Sequence, residues 1–218
     1  MRRRSGLDIA ETLKDTCDPA SMALIVYDMQ AGVLRQLPDG GAEAVKRVSQ
    51  VLTAARAGGY PVFFTRHMSL PVRLMGAAQL RTAMAWQQVD DPEQVQSWFL
   101  RDTPGFEIVA DLSPCGDEAV FDKLAMSAFA GTPLEMALRD LGIRSFAIAG
   151  VALEIGIAPT VWHAVDLGLT PVVVTDACGG RDGPAMQRVL DDFRFSGDAL
   201  LTDIAAITPL LAPGVARP

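Results

Sequence analysis

Cysteine and histidine are scarce in this chain, and their scarcity narrows the chemistry. Its 218 residues include three cysteines, Cys17, Cys115 and Cys178. An odd count, wide spacing and no Cys-x-x-Cys predict no disulfide framework. The two histidines, His67 and His163, stand far apart. No zinc-ligand spacing can start from them, so neither a metal nor a cofactor is expected. Long apolar runs are also missing. The longest, Ser145 to Ala152, is strand-sized, well short of the ~20 residues that cross a bilayer. Clustered basic residues are lacking too, and the net charge is −7. Phosphate backbones need clustered Lys and Arg, so nucleic acid is not an expected partner. The basic start, Arg2-Arg3-Arg4, is followed by a polar segment rather than an apolar core. A secretory leader is therefore not expected, and a cytoplasmic location without membrane attachment is.

Aliphatic residues are plentiful. Half the chain is apolar while only 6% is aromatic. The length suits one domain, 1–218, with an aliphatic core. Residues 1–21 read as a polar surface segment. Ala23 to Tyr27 is a continuous apolar run, as in strands buried on both faces, and it ends at Asp28. Ala42 to Ala57 reads as a helix with Val45, Val48, Val51 and Leu52 on one face, stopped by Gly58-Gly59. Pro61 to Thr65 is a strand leading to Arg66-His67. Residues 68–118 read as an insertion that shapes a pocket, with a helix over Gln79 to Gln88 and a helix start at Asp90-Asp91-Pro92-Glu93. Further strands are expected at 119–121, 145–149, 171–175 and 199–201. Helices are expected at 132–141, with a Thr132 capping box, and at 156–167, 182–195 and 204–211.

This alternation predicts an α/β fold: a three-layer α-β-α sandwich around a mostly parallel, Rossmann-like sheet of about six strands. Ligands of such sheets bind beyond the carboxyl ends of the strands. Those ends carry Asp28, Arg66, His67, Lys123, Gly150 to Gly156 and Asp176 to Gly180. Asp28 and Lys123 directed into one cleft would form a carboxylate–ammonium pair able to tune a general acid or base. As isolated strand-end charges they would simply be solvated. Gly150 to Ile157 reads as a strand–turn–helix entry whose N–H groups suit an anion or a developing oxyanion. An ordinary connecting loop would use the same glycines.

The order of these pieces is specific. Asp28-Met29-Gln30 resembles the aspartate loop of the isochorismatase-like (cysteine hydrolase) superfamily. Lys123 followed by Ser127-Ala128-Phe129 and Thr132 resembles its lysine motif. Gly150-Val151-Ala152-Leu153-Glu154-Ile155-Gly156 resembles its third motif, a glycine-rich turn that carries the nucleophile. The resemblance spans about residues 20–205. It implies that Asp28 moves protons, that Lys123 holds Asp28 charged, and that the Ala152 and Gly156 amides form an oxyanion hole. It also implies a cis peptide at Val151-Ala152 and a homo-oligomer, a dimer or tetramer.

The departure from the family is at the nucleophile, where this chain has Gly156. Thiol chemistry at that position is impossible. The isochorismatases proper resemble it in that respect, and they hydrolyse a vinyl ether with the aspartate as general acid. The catalytic candidates are therefore Asp28, Lys123 and Gly156, and the substrate-binding candidates Gln30, Arg66, His67, Ala152, Leu153 and Glu154. The expected activity is hydrolysis of an ether-type C–O bond or an amide or imine C–N bond in a small molecule. A ligand-binding relative without activity is the alternative, as is a hydrolase with Cys178 as a migrated nucleophile. Ser127 and His163 are read as structural.

Overall fold

The computed structural model describes residues 2–212. The chain opens with an exposed antiparallel hairpin, β1 (Arg2–Arg4) and β2 (Leu7–Ile9), and a short helix, α1 (Leu13–Thr16). β3 (Met22–Tyr27), the single turn α2 (Ala31–Leu34), α3 (Ala42–Ala57) and β4 (Val62–His67) follow. The segment after β4 contains α4 (Ala77–Gln87) and short 3₁₀ turns, and returns at β5 (Ala119–Lys123). Regular alternation then resumes with α5 (Leu134–Asp140), β6 (Ser145–Val151), α6 (Ala158–Asp166) and β7 (Thr170–Gly179). It ends with α7 (Gly183–Ser196), β8 (Leu200–Thr202) and α8 (Ile204–Leu211).

Six strands form one sheet in the order β5-β4-β3-β6-β7-β8, and every pairing is parallel. β3 and β6 lie at the centre, and every residue in them is buried. Covered faces on both sides explain why these strands read as continuous apolar runs. Side chains alternate across the sheet. Leu24 and Val26 join the core beneath α3 and α8, whereas Ile25 and Tyr27 join the core beneath α5, α6 and α7. The chain leaves β3 toward β4 on one side and β6 lies on the other. The sheet therefore reverses its winding between β3 and β6, which opens a crevice at their carboxyl ends.

Several local expectations needed correction. α5 starts at Leu134 without a capping box: Thr132 donates its hydroxyl to the Ala128 carbonyl, and Glu135 pairs with Arg139. The α-helix after β6 does not begin at Gly156. A π-type turn, Leu153–Ile157, intervenes, because the amides of Ile155, Gly156 and Ile157 all converge on the Ala152 carbonyl. The helix start anticipated at Asp90 to Glu93 is a single 3₁₀ turn, capped by the Asp91 side chain. β7 runs on through Asp176 to Gly179 past an irregularity opposite Ala149, so those residues belong to the sheet rather than to a loop.

The two central strands meet closely at Gly150, where φ is +139°. A Cβ there would lie 2.8 Å from the Tyr27 nitrogen and 2.9 Å from its carbonyl carbon. Gly150→Ala should therefore cost about 1–3 kcal/mol in backbone strain alone, with the clash added. Urea denaturation against wild type measures this.

Candidate active site

The crevice is built around Asp28, the first residue beyond β3. Its φ is +48°, a left-handed conformation that aspartate tolerates better than most residues. Thr65, on the adjacent β4, accepts the Asp28 amide at 3.2 Å and donates its hydroxyl to Asp28 Oδ1 at 2.6 Å. Lys123, at the end of β5, donates Nζ to Asp28 Oδ2 at 2.7 Å. Nζ also reaches the Ala125 carbonyl at 3.3 Å and stands 4.4 Å from the centre of the Tyr27 ring. Strand order thus delivers three side chains from three neighbouring strands to one point. The Lys123 side chain is 0% exposed and that of Asp28 7%. Burial lowers the Lys123 pKa, and the Asp28 charge opposes that shift.

Gly156 faces Tyr27. A Cβ built on Gly156 would fall 2.6 Å from Tyr27 Cε1 and Cζ, and nearer still to the hydroxyl. The ring thus fills the space that a side chain at position 156 would need. The Tyr27 hydroxyl donates to the Met126 carbonyl. Burial, and then the Asp28 charge, push its pKa well above 10, so the phenol stays neutral. Thr160 ties the turn to the loop after Lys123, donating to the Gly156 carbonyl at 2.7 Å and accepting the Ala128 amide at 3.0 Å. Ser127 and His163 brace the same loop through a 2.9 Å contact. The Val151–Ala152 peptide is cis.

A cavity opens onto Asp28, Tyr27, Ala152 and Gly156. Val33, Leu37, Trp86, Phe99 and Ile155 give it an apolar wall, and His67, Gln36 and Arg181 are its other polar lining residues. Trp86 and Phe99 come from the 68–118 segment and flank the His67 ring edge-on, at 6.2 and 5.6 Å between ring centres. His67 Nδ1 is buried without a hydrogen-bond partner. Burial, with Lys123 contributing, lowers the His67 pKa to about 4. The imidazole that lines the cavity is therefore neutral at physiological pH. A second cavity, reaching out to Gln79, Thr82 and Trp98, shares His67, Trp86, Phe99 and Met126 with the first.

Asp28, Gly156, His67 and Ala152 line the cavity, and Lys123 lies directly behind Asp28. The other candidates lie elsewhere. Gln30 is fully buried and braces the scaffold, donating to the His67 and Phe106 carbonyls and accepting the His67 amide. Arg66 points to the opposite face of the sheet from His67, as strand alternation requires. There it pairs with Asp122 at 2.8 Å and covers Phe106. Leu153 is core. Glu154 accepts the Arg181 amide at 2.7 Å, so it shapes the loop that brings Arg181 to the cavity. The Gly156 amide is bound to the Ala152 carbonyl at 3.0 Å and is not a spare oxyanion donor. Cys178 is buried outside the cavity, and burial raises its pKa to about 12, the opposite of an activated thiol.

Sequence reasoning missed Tyr27, Thr65 and Arg181. Thr65 had left one signal, as a polar residue ending a buried apolar strand. Among the described residues, no group of three or more His, Cys, Asp or Glu side chains is placed to hold a metal ion. No helix is long and apolar enough to cross a membrane, again among the described residues.

The fold has counterparts among known proteins. Residues 22–204 match the family model described as Isochorismatase domain. The chain belongs to the isochorismatase family of hydrolases. It is 31% identical over 162 residues to the isochorismatase family protein YecD of Escherichia coli O157:H7, covering 72% of this chain and 78% of that one. Streptothricin hydrolase of Streptomyces noursei is 28% identical over 207 residues, covering 89% of this chain and 66% of the relative. Among solved structures, an isochorismatase family protein from Desulfovibrio vulgaris superposes with a TM-score of 0.73 at 27% identity, covering 88% of this chain and 98% of that one.

Both Lys123 and His67 titrate differently in the folded protein than in water. Lys123→Met leaves Asp28 buried without its cation and should cost about 3–5 kcal/mol in urea denaturation. His67 has a folded-state pKa of about 4 against an ordinary 6.5. The unfolded chain thus binds the extra proton first as the medium acidifies. Its contribution to stability is present above about pH 6.5 and is lost as the pH falls toward 4. Denaturation midpoints at pH 7 and pH 5 should differ more for wild type than for His67→Gln.

Proposed function

We propose that this chain hydrolyses a small, largely apolar molecule without a protein nucleophile, Asp28 moving the proton and water supplying the oxygen. One observation carries this reading. The Asp28–Lys123–Thr65 unit stands intact at the cavity wall, while position 156 has neither a side chain nor room for one. A buried charge pair is costly to hold in place, so its position at a cavity favours use over ornament. An ether-type C–O bond suits the arrangement best. Asp28 gives a proton to the terminal carbon of an enol ether. The resulting oxocarbenium ion takes up water, the water proton returns to Asp28, and the hemiketal separates into a carbonyl compound and an alcohol. In this reading Asp28 begins and ends the cycle carrying the proton, with Lys123 Nζ held against its other oxygen at 2.7 Å.

A second reading has its own support. Both Asp28 oxygens accept hydrogen bonds, as those of an ionised general base do. In that role Asp28 would activate water against an amide or imine C–N bond. Relatives of the chain include proteins named streptothricin hydrolase and ureidoacrylate amidohydrolase. In either reading the neutral His67 imidazole meets a polar but uncharged part of the substrate, and Arg181 is the cation at the cavity.

A mass-spectrometric turnover screen tests both. Wild type and Asp28→Asn meet vinyl ethers, amides, ureides and imines. Wild type should convert a vinyl ether to its carbonyl and alcohol, and Asp28→Asn should lose at least about a hundredfold in rate. Conversion of an amide or imine instead selects the second reading. Binding of panel compounds by both proteins, with no turnover by either, would replace hydrolysis with a ligand-binding role.

A further inference from the structure

We propose that Tyr27 determines which nucleophile this site can use: its ring owns the space of a side chain at position 156, so the site excludes a protein thiol and leaves water as the attacking species beside Asp28. The chemical half of this statement rests on the thiol-independent reading above. The occupancy of the slot rests on geometry alone.

The ring cannot swing aside cheaply. It extends from the last residue of β3, a central strand held by neighbours on both sides. Its hydroxyl is tied to the Met126 carbonyl, in the loop that Ser127, Thr160 and His163 fix in place. Lys123 Nζ covers one face at 4.4 Å. Tyr27 is 1% exposed and is packed into the core beneath α5, α6 and α7. Atoms so constrained do not yield to a new Cβ, and Cβ atoms do not approach ring carbons to 2.6 Å, the separation that Gly156 would impose.

Tyr27 also lines the cavity next to Asp28 and Ala152. Its hydroxyl donates to the Met126 carbonyl, which fixes the ring at that wall. The ring thus borders the glycine turn beside Asp28, where water would act in the thiol-independent reading. Glycine at 156 and tyrosine at 27 are in this sense one feature.

The test needs no substrate, so its failure is distinct from failure of the turnover screen. Full-length Gly156→Cys and Tyr27→Val/Gly156→Cys are treated with iodoacetamide at neutral pH and mapped by peptide mass spectrometry. Labelling of the exposed Cys115 serves as the internal clock. The new thiol in the double variant lies beside Asp28 and Lys123 and should label at least about tenfold faster than in the single variant. The single variant should also melt below wild type. A single variant that melts as wild type, with its thiol labelled as fast as in the double, overturns the proposal. Should the double variant fail to fold, Gly156→Ala is compared in the wild-type and Tyr27→Val backgrounds. Alanine should lower the melting temperature in the first and leave it unchanged in the second. An equal drop in both overturns the proposal.

Discussion

Two opposite charges 2.7 Å apart, each almost wholly out of water, make the demand that the surrounding structure has to meet. A carboxylate and an ammonium lose several kcal/mol each on leaving water and recover it only when geometry and hydrogen bonding are complete. The sheet meets that demand by adjacency. β3, β4 and β5 lie side by side, so Asp28, Thr65 and Lys123 arrive from three neighbouring strands without a long loop. Both carboxylate oxygens are engaged, one by a hydroxyl and one by the ammonium. The ammonium finds a further carbonyl and an aromatic face. The braces around this pair, Gln30 behind His67 and Ser127 with His163 behind the lysine loop, hold the backbone that carries the charges.

Much of this was legible in the residues. Continuous apolar strands alternating with amphipathic helices read as a mostly parallel sheet of about six strands, and the sheet has six, all of them parallel. The aspartate loop, the lysine motif and the glycine-rich turn stood out because each is local, a few residues whose types and order carry the signal. The errors have a shared cause. A strand end marks a position but not a face, so Arg66 and His67 looked equally suited to the cavity. Alternation sends His67 in and Arg66 to Asp122 on the other side. Glu154 and Leu153 looked like ligand contacts because a turn was read as one surface. The π-type turn instead directs Leu153 into the core and Glu154 onto the Arg181 amide.

Tyr27 was illegible for a different reason. In sequence it is the last member of an apolar run and differs little from the residues before it. Its meaning depends on Gly156, which lies in a distant part of the chain and carries no side chain to signal a partner. Only the pairing of β3 with β6 brings the two together, with Tyr27 in register with Gly150 and the turn immediately beyond. Thr65 is similar, because its role exists only once β4 lies against β3. Contacts across a sheet are set by register, and register is not written in any single segment.

The packing of one ring against one glycine also constrains how such a chain can change over generations. A cysteine arriving first at 156 meets the ring, and a smaller residue arriving first at 27 leaves a void in a close-packed core. Each single step weakens the fold, and only the two together restore a filled interior. Mutations coupled in this way are not exchanged freely. Whether either residue can change therefore depends on which residue stands at the other position.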